Sequence, residues 1–298
     1  MPCPSTQSRL AIETMSNDRD SSEDPLPEGD FRRGRVMLPA EAFALARGPD
    51  PPIDDLVGEQ VWNHLIQLGD DVALRTTNWQ GSITNRMNQI SSQWLFATPI
   101  HPVGAPFAPE PALLTSEEFQ ALEFIALHGY YRQALGCLRN GLETMIHAAR
   151  YAALGQEAEF RQWREGQVEP KFFSSRASLL SSTVGREIEA SCAPRSVFGT
   201  REQHGWLASL YRRLCAYAHS QGGYNNADFW ESNGPVYAPR AYELVLDELR
   251  ETVAACYVLL RVCWPEFALP SELGELLDRP ALSSWPIFAK PVLETLFA

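Results

Sequence analysis

"SEEFQALEFIALHGYYRQALGCLRNGLETMIHAARYAAL" occupies residues 116–154, and the spacing of its apolar residues decides the fold. Leu135, Leu138, Leu142, Met145 and Ala149 follow one another at steps of three and four. That period keeps side chains on one face of an α-helix. Thr115 or Ser116 stands in front as an N-cap, with Glu118 or Glu117 placed to close a capping box. Gly155 stands where a left-handed C′ residue ends a helix. The stretch therefore reads as one unbroken helix over 116–154 with a stripe facing a core.

Working outward, the same period recurs on both sides. Upstream, Val61, Trp62, Leu65, Ile66 and Leu68 predict a helix over about 58–68, and Ile83, Met87, Ile90 and Trp94 predict a second over 82–97. "TPIHPVGAPFAPEPA" at 98–112 reads as a connector, because proline restricts both itself and the residue before it. Downstream, "QEAEFRQWREG" (156–166) is a short helix ending at Gly166, and 172–192 holds one or two more. A helix over 204–219 buries Leu207, Leu210, Leu214 and Tyr217, and one over 240–264 stops at Pro265. Period-2 alternation is nearly absent. The predicted class is all-α: an antiparallel helical bundle with a disordered N-terminal tail and a Pro-rich C-terminal extension. The division expected is an acidic tail at 1–34, a helical elaboration with its connector at 35–112, the bundle at 113–265, and an extension at 266–298 packed on it.

Composition narrows the function. The 298 residues carry a net charge of −12, of which residues 1–30 contribute −5 through seven acids against Arg9 and Arg19. The remaining −7 argues against broad nonspecific nucleic-acid binding, which rests on clustered positive charge, while leaving room for a small basic pocket. The six cysteines form no C-x-x-C pair and no zinc spacing, so no metal or cofactor is expected, and reduced thiols fit a cytoplasmic location. The N-terminus shows no apolar leader, and the most apolar run, "VAACYVLLRVCW" (253–264), is too short to span a membrane. There is no G-x-x-x-x-G-K-[ST], G-x-G-x-x-G, H-E-x-x-H or G-x-S-x-G, which sets aside nucleotide-driven motors, dinucleotide enzymes, zincins and α/β-hydrolases.

Chemistry-bearing residues gather on two helices. His128, Arg132, Arg139, Glu143 and His147 form a polar row along the long helix. It has two readings: a solvated face with i,i+4 pairs such as Arg139–Glu143, or one wall of an inter-helix polar site. The second helix carries "LYRRLCAYAHS" (210–220). At 100° per residue, Arg212 and His219 fall within roughly 20° of each other, whereas Arg213 and His219 diverge by roughly 120°. His219 also reads as a simple helix-end cation favoured by the dipole. The following "GGYNNADFW" (222–230) offers Tyr224, Asn225 and Asn226, a mix that stacks on bases and hydrogen-bonds their edges, or alternatively packs as an ordinary loop.

The segments "LHGYYRQALGCLRNGLE" (127–143) and "LYRRLCAYAHS" (210–220) together resemble the HEPN superfamily, over roughly residues 116–264. Both Arg212 and Arg213 satisfy its Arg-x(4–6)-His spacing to His219. The resemblance implies a bundle of four to five helices, usually a homodimer, whose active members are metal-independent RNases. It also implies that Arg and His converge across the dimer seam, with an acid from an earlier helix. Carried onto this chain, the catalytic set is Arg212 or Arg213, His219 and Glu143; apart from the resemblance, the polar row offers Arg132 and Arg139, and the loop offers Tyr224, Asn225 and Asn226, to bind RNA or another ligand. A cognate antitoxin or phage-defence partner follows from the same resemblance. The chemistry is coherent: an imidazole near pKa 6.5 moves the 2′-hydroxyl proton, and a guanidinium fork stabilises the phosphorane. Two further readings use the same bundle: a non-catalytic interaction protein, and a small-molecule or nucleotide sensor.

Overall fold

The computed structural model describes residues 62–97, 105–192, 196–199, 205–218, 235–265 and 267. Expectations for the tail at 1–34, for the C-terminal extension other than Phe267, for His219 and for Tyr224, Asn225 and Asn226 lie outside them. Among the described residues there are eight α-helices and no strand. They are α1 (Leu68–Ala97), α2 (Pro109–Leu127), α3 (Tyr131–Leu154), α4 (Glu157–Arg164), α5 (Phe172–Ser181), α6 (Thr183–Cys192), α7 (Trp206–Ala218) and α8 (Pro239–Cys263). Over the described residues, the chain forms the all-α bundle read from the periodicity.

The stretch 116–154 is two helices rather than one. Gly129 takes φ +83°, and the Gly129 and Tyr130 N–H groups donate to the Ala126 and Ile125 carbonyls at 2.9 and 3.1 Å. This is a Schellman closure, which ends α2 and sends the chain back as α3. The turn has no room for a side chain: a Cβ on Gly129 would sit 2.4 Å from the Val236 carbonyl oxygen and 2.9 Å from a Val72 methyl. His128 therefore belongs to the end of α2, where its Nδ1 lies 2.7 Å from the Phe124 carbonyl, and not to the polar row of α3.

The start of α2 also differs from expectation. Thr115 and Ser116 are buried inside the helix and do not cap it; the Thr115 hydroxyl leans on the Gly141 carbonyl at 3.5 Å. Pro109 begins the helix instead, since its fixed φ and missing N–H suit the first turn. The end of the Pro-rich connector thus becomes helix. Upstream, α1 is two helical stretches joined across a kink at Gln80 (φ −123°, ψ 26°), the second of them the helix expected over 82–97, and a π-helix at Trp62–Gln67 leads into the first. Thr76, Thr77 and Thr84 hydroxyls donate to carbonyls four residues back, bonds that bend a helix without breaking it. Met87, Ile90 and Trp94 are buried on it as their spacing predicts.

α3 lies at the centre. Leu135, Leu138, Leu142, Met145 and Ala149 are wholly buried, and α2, α4, α5, α6, α7 and α8 all pack against this helix. Each full burial of such a leucine stabilises the fold by roughly 2 kcal/mol. The C-terminal half of α8 is apolar on nearly every side, and its "VAACYVLL" run is core. The segment 235–238 crosses the Gly129 turn, with the Ala238 N–H donating to the Tyr131 hydroxyl at 3.0 Å.

Candidate functional site

Of the predicted site residues, Arg132, Arg139 and Glu143 lie on α3, and Arg212 and Arg213 on α7. Arg132 sits in the first turn of α3, partly buried, seven residues before Arg139. Arg139 and Glu143 face α7. Their side chains pair at 2.9 Å, and Tyr211 closes a triangle: Arg139 donates to its hydroxyl at 3.2 Å, and the hydroxyl donates to Glu143 at 3.1 Å. Burial and the neighbouring Glu143 carboxylate hold the Tyr211 phenol above its ordinary pKa, so it stays a donor. Arg139 is held protonated despite partial burial by its bonds to Tyr211 and Cys215 and by the charge of Glu143.

The row continues inward and dries out. His147 is buried, its Nε2 4.0 Å from Glu143 and its Nδ1 2.9 Å from the Ser175 hydroxyl. Burial, helped by the charge of Arg150, pushes its pKa down to about 4. The imidazole is neutral at pH 7 and locks α5 to α3. The solvated-face reading of this row therefore fails at its inner end: a histidine with its own buried partner is part of the core.

Arg213 points the other way. Its guanidinium binds Glu248 through two bonds, at 2.6 and 2.8 Å, and also binds Glu251. Glu251 takes the Trp206 indole N–H as well, at 2.8 Å. Two carboxylates around one guanidinium outweigh the cost of burial and keep Arg213 protonated beyond its ordinary range. This is the tie between α7 and α8. The Nε and Nη2 donors of Arg213 are thus both spent on carboxylates inside the bundle. The reason is rotational, since the residue after Arg212 turns about 100° onto the α8 side.

Arg212 is exposed and faces α5, its Cζ 5.4 Å from the centroid of the Phe173 ring. Arg176 of α5 approaches the same ring at 5.7 Å. Phe173 meets Phe172 and Tyr211 edge-on, and Phe172 lies flat on Tyr211 at 3.7 Å and 4°. An aromatic layer thus connects Arg212 to the Arg139–Glu143 triangle. Tyr211, Phe173 and Arg176 have no place in the sequence-based set. Tyr211 carries a legible signal, an aromatic directly before the Arg pair. Phe173 and Arg176 are i and i+3 on a short helix and show a shared face, without saying that α7 would meet it.

No group of three or more His, Cys, Asp or Glu side chains that could hold a metal occurs among the described residues. Nor is any described helix long and apolar enough to cross a membrane. Cys137, Cys215, Cys256 and Cys263 are free thiols. No family model, curated protein or solved structure matches the chain.

Proposed function

We propose that this chain is a HEPN-like RNA-binding protein carrying the groups of a metal-independent endoribonuclease. The observation that carries the reading is the meeting of α3 and α7: a carboxylate of the earlier helix, Glu143, is bonded by Tyr211, the residue beside Arg212. On this reading His219, one residue beyond the end of α7, accepts the proton of a 2′-hydroxyl. The freed oxygen attacks the adjacent phosphorus, the bond from phosphorus to the 5′-oxygen breaks, and a proton passes to that oxygen. The products are a 2′,3′-cyclic phosphate and a 5′-hydroxyl. Arg212 stabilises the charge gathering on the phosphorane. Glu143 and Tyr211 hold α7, which carries Arg212 and ends at Ala218, just before His219 in the sequence. A homodimer that brings two α7 ends together, an antitoxin or phage-defence partner, and a cytoplasmic location belong to the same proposal.

The test is cleavage of a mixed RNA pool in EDTA by the wild type, His219→Ala and Arg212→Ala. The expected result is cleavage by the wild type, with end groups of the stated kind, lost in both variants. Wild-type cleavage no faster than that of the His219 variant refutes the ribonuclease. Light scattering tests the dimer, and a monomer at micromolar concentration removes it.

One observation favours a second reading. Both Glu143 oxygens are already engaged, by Tyr211 and Arg139, as in a network built for packing. On that reading the same corner serves a non-catalytic interaction or sensor protein, and no His219-dependent cleavage occurs.

A further inference from the structure

Phe173 is 41% exposed, and two guanidiniums flank its ring, Arg176 from its own helix and Arg212 from α7. Neither arginine has a carboxylate within ion-pair distance among the described residues, a state shared with Arg75, Arg150, Arg186 and Arg240, whereas Arg139, Arg161, Arg164, Arg213 and Arg250 each have one; what sets Arg176 and Arg212 apart is that they meet on one ring. The Arg176 Nε and Nη1 atoms are shielded from water and donate to nothing there. Buried donors are ordinarily paired, and like charges held together without a counter-ion oppose folding. In a chain of net charge −12, such a pair stands out against its surroundings. Burial, and secondarily the charge of Arg212, already draw Arg176 below its ordinary pKa.

Contact with the ring holds each guanidinium without consuming its N–H donors. Among the described residues, no acceptor with several oxygens and a negative charge lies against the pair. We infer that Arg176 and Arg212, steadied on Phe173, form a clamp for a backbone phosphate of single-stranded RNA. The inference rests on the RNA reading above and adds α5 to the binding surface. Arg176 is thereby a binding residue that the Arg-x(4–6)-His spacing does not contain.

The experiment is fluorescence anisotropy of a labelled single-stranded RNA of mixed sequence with the full chain, over a series of KCl concentrations. The proteins are wild type, Arg176→Gln, Arg176→Lys, Arg212→Gln and Phe173→Leu. Arg161→Gln, on the exposed α4 pair with Glu157, serves as the charge control. Arg176→Gln and Arg212→Gln are each expected to weaken binding about tenfold. Each should also lower the slope of log K against log salt by about 0.7. Arg176→Lys recovers part of the loss, Phe173→Leu loses less than either arginine change, and Arg161→Gln binds as the wild type.

Wild-type binding with Arg176→Gln unchanged overturns the clamp and leaves the RNA reading standing. A loss in Arg161→Gln equal to that in Arg176→Gln overturns it too, since charge alone then explains binding. No RNA binding by the wild type overturns both clamp and RNA reading. Inorganic phosphate and ATP as competitors distinguish the sources: displacement of RNA by ATP at concentrations where inorganic phosphate has no effect assigns the corner to a free nucleotide and refutes the backbone assignment. Circular dichroism melts of each variant separate lost binding from lost folding.

Discussion

Arg212 and Arg213 are neighbours on α7 and meet opposite surroundings. Arg213 enters the seam with α8, where Glu248 is buried and Glu251 is shared with the Trp206 indole. Arg212 enters the corner with α5, where a ring and a second arginine await it and no described carboxylate reaches it. In the first place the guanidinium sits between two carboxylates, which take its Nε and Nη2 donors. In the second two guanidiniums gather on one ring with no described carboxylate beside them. The difference teaches that an arginine's role follows from the number of acceptors its rotation brings within reach, and that one step along a helix suffices to change it.

The comparison breaks most visibly on the sealed side. Arg213→Ala leaves a buried Glu248 carboxylate without its partner and is expected to lower stability by roughly 3–5 kcal/mol in urea unfolding. Arg213→Met combined with Glu248→Leu should regain most of that loss, because a matched apolar pair removes the stranded charge. If Arg213→Ala unfolds like the wild type, the seam is not the tie described here.

The next effect depends on pH. His147 has a folded pKa near 4 against an ordinary value near 6.5, so the unfolded chain binds the proton more readily between those values. Its contribution is complete above about pH 6.5 and is lost as pH falls toward 4, by roughly 3 kcal/mol over the window. The wild type should therefore lose more stability than His147→Gln across that range, and parallel curves would refute the buried neutral imidazole.

Smaller still is Tyr211→Phe, which removes the hydroxyl joining Arg139 to Glu143 and should cost about 1–2 kcal/mol in thermal unfolding. The smallest effect lies on the open side. Arg176→Gln and Arg212→Gln are expected to stay within about 0.5 kcal/mol of the wild type in the same melts, because each gives up only its contact with the Phe173 ring and no described carboxylate. A drop as large as that for Arg213→Ala would show that the two sides are alike after all.

Much of this fold is legible in the residues. The α3 stripe gave the core face, and the rotation between Arg212, Arg213 and His219 separated the two arginines before any partner was visible. The break at Gly129 was hidden because apolar spacing passes straight through a Schellman turn, whose only local mark is a glycine. Thr115 and Ser116 misled because the hydroxyls that suit an N-cap also suit a close helix crossing. At the site, Glu143 and Arg139 could be found by their i,i+4 spacing. The α7–α8 seam could not, since Glu248 and Glu251 look like the polar face of any amphipathic helix. Phe173 and Arg176 gain meaning only from a helix distant in sequence.

The central place of α3 bears on how the molecule comes apart. Six helices use α3 as a wall, so no subset of them keeps its core once it goes, and their unfolding is expected to be a single all-or-none event. α1 instead rests chiefly on α2 and α8. Amide hydrogen exchange would therefore find one cooperative unit with a separable flap, in which α1 exchanges through partial opening while α3 waits for the whole to open.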